Sequence, residues 1–183
     1  KAFISYAPIK IENKFDGFIK LIDAGSPVNA NVSGYTGVAT ITTLSSSNIL
    51  AAVKGCKNAI PAALKGNKDV VIWCGYDIYD LYVDAGIAAN YFAYAFKDDS
   101  NYGGLTVPGT GIRLEATHGL NGTGDMYAFR LNNAVMGVDL EAEENNYRMW
   151  YSEDNNDVRF RAAFKMGVNV AFTEECVKFK AAI

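Results

Sequence analysis

The chain has 183 residues, a formal net charge of −3 and a sequence pI near 5.2. Half of its residues are hydrophobic and 20% are charged, a balance that excludes a mostly disordered chain. The acidic balance also argues against specific nucleic-acid binding, and no apolar run is long enough for a membrane-spanning helix. The first residue is Lys1 rather than Met, so we expect a processed or cut product with further residues upstream.

The first 47 residues predict one helix and one strand after a short extended start. Apolar residues recur at helical spacing in "FDGFIKLIDAG", which predicts a helix near residues 15–24. The following "SGYTGVATITTL" is rich in β-branched residues and predicts a strand near residues 34–44.

Residues 48–96 predict a helix, a strand and a second helix. The segment "NILAAVKGCKNAI" has the apolar spacing of a helix, and "DVVIWCG" is a continuous apolar run of the kind found in strands buried on both faces. From Asp77 to Phe96 an apolar stripe at helical spacing predicts the second helix.

After Phe96 the sequence becomes rich in glycine, asparagine and short β segments. Strands are predicted at "IRLEA", "MYAFRL", "AVMGVDLE" and "YRMWY", with a loop tip at "NGTG" and a polar turn at "SEDNND". The chain then closes with "ECVKFKA". Together these elements predict an α+β fold.

The segment "VRFRAAFKMGVNVAF", residues 158–172, has an apolar residue at every second position. This alternation predicts a half-buried strand, and its 15 residues exceed the usual strand length of about 3–10 residues. The polar face carries Arg159, Arg161 and Lys165. These three cations are our candidates for a subunit interface, and the alternative is an exposed sheet face that is simply solvated.

No set of residues predicts catalysis, a cofactor or a metal. His118 has Glu115 nearby in sequence but no identifiable nucleophile, so a surface-loop histidine is expected. Asp77, Asp80 and Asp84 share a helix face without further ligands, which favours a solvated acidic face. The three cysteines are far apart and include no CxxC pair, which predicts reduced, buried thiols rather than disulfides or zinc ligands. They are Cys56, Cys74 and Cys176.

The order of these elements resembles the major capsid proteins of tailed bacteriophages, which have the Hong Kong 97-type fold. "FDGFIKLI" resembles the start of that family's long helix, and "IPAALKGNKDVVIWCGYDIYDLY" resembles the helix, strand and helix of its axial lobe. "VPGTGIRLEATHGLNGTGDMYAF" resembles the loop-rich part of that lobe, and "GVDLE" its return to the peripheral lobe. Arg159, Arg161, "MGVNVAF" and "CVKF" resemble the closing strand and final segment.

The resemblance implies an elongated subunit with long antiparallel strands, a long helix and an inserted α/β-like axial lobe. Residues 1–47 would begin the peripheral lobe, residues 48–145 would form the axial lobe, and residues 146–183 would return to the peripheral lobe. The family's N-terminal arm and extended loop, which reach neighbouring subunits, do not fit in front of "FDGFIKLI".

The implied function is a non-enzymatic structural subunit of a phage or prophage capsid. Its partners would be identical subunits, portal and scaffold or protease proteins, and DNA held non-specifically, with no membrane. It would occupy the bacterial cytoplasm before assembly and the virion afterwards. An encapsulin-like compartment shell, which shares this fold, is an alternative function. The 11 Tyr and 10 Phe residues leave open a carbohydrate- or protein-binding module.

Overall fold

The computed structural model describes residues 16–90, 105–138, 147–162 and 166–183. The described helices are α1 (Phe18–Ala24), α2 (Ser33–Thr36), α3 (Ile49–Ala59) and α4 (Tyr76–Ala88). The described strands are β1 (Val28–Asn29), β2 (Val70–Cys74), β3 (Leu105–Thr106), β4 (Arg113–Ala116), β5 (Met126–Arg130), β6 (Ala134–Val138), β7 (Tyr147–Ser152), β8 (Asp157–Ala162), β9 (Met166–Val170) and β10 (Val177–Phe179). The predicted α+β class is confirmed.

A mixed sheet of six described strands, in the order β1-β10-β5-β2-β4-β3, forms the centre of the fold. β2 lies inside it, parallel to β4 and antiparallel to β5. Ile72 joins a large apolar cluster together with residues of α3 and α4. Its neighbour Val71 joins a second cluster that contains Ile22 of α1. The apolar run of β2 is therefore buried on both faces, as its sequence predicts.

The helices confirm most of the helical pattern, but α4 is shorter than predicted. The apolar stripe indicated a helix as far as Phe96, whereas α4 ends at Ala88. Asn90 has a left-handed backbone with φ +56°, which an α-helix does not accommodate. Residues 91–96 lie outside the described part of the chain.

The prediction of a strand near residues 34–44 is wrong, and β pairing in this range is limited to an isolated parallel bridge between Thr43 and Ala182. Ser33–Thr36 forms the short helix α2, which ends at Gly37 with φ +76°. The main chain of Ile41 hydrogen-bonds to the buried side chain of Asn31, whose amide donates to the Ile41 oxygen at 2.7 Å and accepts from the Ile41 nitrogen at 2.9 Å. Because a side chain occupies these main-chain groups, no strand can pair with them.

The long alternating segment contributes to two separate ladders. β8 pairs with β7, and β9 pairs with β6, both antiparallel. Strand structure is confirmed on either side of residues 163–165, which lie outside the described residues. The prediction that the strand reaches Phe172 is wrong, because β9 ends at Val170 and Thr173–Glu175 forms a 3₁₀ turn. The division into peripheral and axial lobes stays a prediction.

Candidate subunit interface

The β7–β8 hairpin is the most exposed element among the described residues. Every described side chain from Arg148 to Arg161 is exposed except Ser152, which is partly exposed. The hairpin's six-residue strands are each about 20 Å long, at roughly 3.3 Å per residue. Since neither face of this ribbon is buried by the rest of the described chain, both faces are accessible to a partner.

The register of the hairpin places apolar side chains together on one face. Met149 lies opposite Phe160, and Tyr151 lies opposite Val158. We call these four residues the apolar face. Their exposed fractions are 69% for Met149, 66% for Phe160, 57% for Tyr151 and 66% for Val158. The alternation of β8 predicted a half-buried strand, in which this apolar face would be the buried one. Within the described chain the face is exposed, so that prediction is wrong.

The opposite face of the hairpin is cationic. Arg159 lies opposite Trp150, and Arg161 lies opposite Arg148. The Arg148 guanidinium carbon is 5.8 Å from the centre of the Trp150 ring, which is within cation–π range. The Arg159 Nε atom donates a 3.3 Å hydrogen bond to Asp157. The structure therefore brings two of the three predicted interface cations onto one face.

Lys165, the third predicted interface cation, lies outside the described residues. Sequence reasoning did not identify Arg148, because the pairing of β7 with β8 decides which residues share a face. It also missed the exposure of the apolar residues. Trp150 and Tyr151 lie on opposite faces of the ribbon, so these two exposed aromatic residues do not form one binding platform.

The β6–β9 ladder leads from the core toward the solvent. At its inner end Ala134 pairs with Val170, and both contact the cluster that contains Ile22. Two residues further along the same face, Met136 is 56% exposed. The apolar side of this ladder is thus buried where it packs near α1 and exposed farther out.

Asn133 fixes the point where this ladder leaves the core. Its side chain is buried and both donates to the Phe172 oxygen and accepts from the Phe172 nitrogen, each at 2.7 Å. Its main-chain oxygen accepts from the Ala171 nitrogen at 3.0 Å. These bonds satisfy the backbone immediately after β9 and hold it beside the start of β6.

A second polar cluster attaches α1 to the central sheet. Asp23 forms ion pairs with Lys178 at 2.7 Å and Lys180 at 2.9 Å, and it accepts a 3.1 Å hydrogen bond from the Tyr127 hydroxyl. Burial by itself would raise the pKa of Asp23, but the hydrogen bonds from Lys178, Lys180 and Tyr127 outweigh it and lower that pKa. Burial, followed by the nearby carboxylates of Asp23 and Asp125, raises the pKa of Tyr127.

The carboxylates considered as possible catalytic or metal-binding groups form hydrogen bonds and ion pairs within the fold. Glu115 accepts a 3.2 Å hydrogen bond from the Trp73 indole and forms a 3.5 Å ion pair with Arg113, while His118 is exposed. Asp77 accepts hydrogen bonds from the nitrogens of Ile78 and Gly122, at 2.8 and 2.7 Å, and so joins the start of α4 to a neighbouring loop.

The predicted burial of the three cysteines is confirmed, and all are free thiols. Burial raises the pKa of Cys74 to about 12 and that of Cys176 to about 11, so both are protonated near neutral pH. Among the described residues, no group of three or more His, Cys, Asp or Glu side chains could hold a metal ion. None of the described helices has the length and apolar character required to cross a membrane.

Comparison with solved structures relates this fold to a phage protein. A chain from Mycobacterium phage Che8 is similar with a TM-score of 0.55 and 14% sequence identity, over 87% of this chain and 54% of that chain. This chain therefore spans about half the length of the phage chain. At this identity the likeness shows a shared fold. No protein-family model matches the sequence. No curated protein matches it either.

Proposed function

We propose that this protein is a structural subunit of a phage or prophage capsid with the Hong Kong 97-type fold. Identical copies assemble into pentamers and hexamers of an icosahedral shell that encloses DNA. The observation that carries the proposal is the exposed apolar face of the β7–β8 hairpin. The fold shared with a Mycobacterium phage Che8 chain supports the phage assignment.

The apolar face supports assembly because large apolar side chains gathered on one exposed surface are uncommon on monomers and typical of interfaces. Met149, Tyr151, Val158 and Phe160 cover one side of the described ribbon, and each is more than half exposed. A repeated lattice contact would remove these side chains from water in every subunit. The burial of apolar area then provides the driving force for assembly.

We expect the cationic face to orient neighbouring subunits relative to one another at this contact. Arg148, Arg159 and Arg161 lie together on a chain whose net charge is −3, so acidic surfaces of other copies can pair with them. Opposite charges across an interface mainly determine the rate and register of docking. The hairpin thus offers apolar contact on one face and charge pairing on the other.

The proposed location and partners of the protein follow from this role. Subunits fold in the bacterial cytoplasm and then join the virion shell, where they contact identical neighbours, the portal, and scaffold or protease proteins. Packaged DNA is held without sequence specificity, in keeping with the acidic composition. We propose no catalytic activity, cofactor or metal and no membrane partner.

Electron microscopy of the complete gene product tests this function. We expect negatively stained fields to contain closed shells or rings of five or six subunits. A protein that stays monomeric with its scaffold or portal partners present, under conditions where such proteins assemble, would overturn the proposal.

A further inference from the structure

A concave surface between α3 and two loops carries three lysines. The cavity has a volume of about 540 Å³ and is lined by residues 57–58, 65–68 and 109–112. Lys57, Lys65 and Lys68 belong to this lining, and no carboxylate is among its described residues. We call this surface the lysine groove.

The positive charge of the groove is not neutralised within the described chain. None of its three lysines forms an ion pair with a described carboxylate; the Lys65 ammonium makes a 3.5 Å hydrogen bond to the Asn58 carbonyl oxygen. Lys65 and Lys68 are exposed. On a chain with net charge −3, this is a local positive site.

The tip of the β7–β8 hairpin has the complementary charge. Residues 153–156 form its turn, in which Glu153 and Asp154 are exposed and have no ion pair with a described residue. Asp157 differs, because it pairs with Arg159. The tip therefore presents two available carboxylates at the end of the exposed ribbon.

We propose that the hairpin tip of one copy docks into the lysine groove of a second copy, with Glu153 and Asp154 facing Lys65 and Lys68. This contact rests on the proposed shell function and names the pair of surfaces that directs it. A second copy is required because the tip is exposed in the chain itself and does not occupy its own groove.

A protein turn suits the groove better than nucleic acid does. Lys57 also lines a neighbouring cavity together with Lys54, but the chain has a net charge of −3, whereas nucleic-acid-binding domains usually carry an excess of basic residues. The described lining also lacks arginine and aromatic side chains, which nucleic-acid sites use to contact bases. A compact acidic turn matches both the concave shape and the charge.

Charge reversal with rescue tests this docking in the complete gene product. One variant carries Glu153→Lys and Asp154→Lys, a second carries Lys65→Glu and Lys68→Glu, and a third combines all four changes. We expect each double variant to form at least about tenfold fewer shells than the unaltered protein, because like charges would face each other at the contact. The combined variant restores opposite charges and should recover most of the loss.

The measurement is the fraction of protein sedimenting as shells at about 0.1 M salt, where charges act over about 10 Å. The matched control for the hairpin-tip variant is Asp80→Lys with Asp84→Lys, which makes the same charge change at exposed positions of α4. The control should assemble normally, and all variants should keep the melting temperature of the unaltered protein, since the altered side chains are exposed.

Three results would overturn the docking while leaving shell assembly intact. They are normal assembly of either double variant, a combined variant no better than its parents, and loss of packaged DNA from otherwise normal shells of the groove variant. The last result would make the groove a phosphate-binding surface. Failure of the unaltered protein to assemble would instead refute the proposed function, and the docking with it.

Discussion

Replacing two residues of the apolar face with polar ones should weaken assembly without unfolding the subunit. Met149→Gln and Val158→Thr alter side chains that are 69% and 66% exposed in the single chain. Complete burial of such a side chain contributes about 1.5–3 kcal/mol. With about two thirds of each surface left to bury, the two residues together provide roughly 2–4 kcal/mol per contact, which corresponds to about 30- to 1,000-fold in association.

The assay is the lowest protein concentration at which shells appear by light scattering, measured beside the urea unfolding midpoint. We expect that concentration to rise at least about tenfold, while the unfolding free energy changes by less than about 0.5 kcal/mol, as is usual for exposed sites. A matched control, Ile87→Gln with Val38→Thr, alters two other exposed apolar residues and should leave assembly unchanged. Normal assembly of the Met149 and Val158 variant would refute the assignment of this face to an interface.

Three further predictions concern charges and buried polar groups. Arg159→Gln with Arg161→Gln should raise the assembly concentration several-fold with unchanged folding, since exposed ion pairs each contribute about 1 kcal/mol or less; an unchanged concentration would mean that these arginines are only solvated. The lowered pKa of Asp23 means that the unfolded chain takes up the proton more readily, so this carboxylate stabilises the fold above its ordinary pKa of 3.8 and the contribution is lost as pH falls below it. Asp23→Asn should remove that part of the pH dependence in unfolding titrations, and identical profiles would contradict the assignment. Asn133→Ala should lower the unfolding free energy by about 1–3 kcal/mol, because it removes a buried amide that accepts from the Phe172 nitrogen and donates to the Phe172 oxygen, and a loss under about 0.5 kcal/mol in urea unfolding would show that water replaces the amide.

Elements whose pattern is local could be predicted from the sequence. The apolar run of β2 indicated burial on both faces, and its two neighbouring residues Val71 and Ile72 do join different clusters. The helical spacing around α1 and α3 located both helices to within a few residues. In these segments, hydrophobic periodicity and the burial it requires agree, so no distant contact needed to be known.

Segments controlled by distant polar contacts could not be predicted. Residues 34–44 have the composition of a strand, yet the side chain of Asn31 occupies the main chain of Ile41 and also donates to the Lys180 oxygen at 2.7 Å. The end of α4 was missed for a different, local reason, because the left-handed backbone of Asn90 ends the helix while the apolar spacing continues. Propensity reports what a segment favours alone, and tertiary hydrogen bonds override it.

The candidate interface also has one feature that the sequence predicts and one that depends on the tertiary structure. Alternation along β8 was sufficient to place Arg159 and Arg161 on one face and the apolar residues on the other, because successive side chains of a strand point to opposite sides. Whether the apolar face is covered depends on where the hairpin lies relative to the core, and only the tertiary structure decided that it is exposed. The sequence by itself thus determined the two chemical faces of the strand, while the packing of the described residues determined that both faces are exposed.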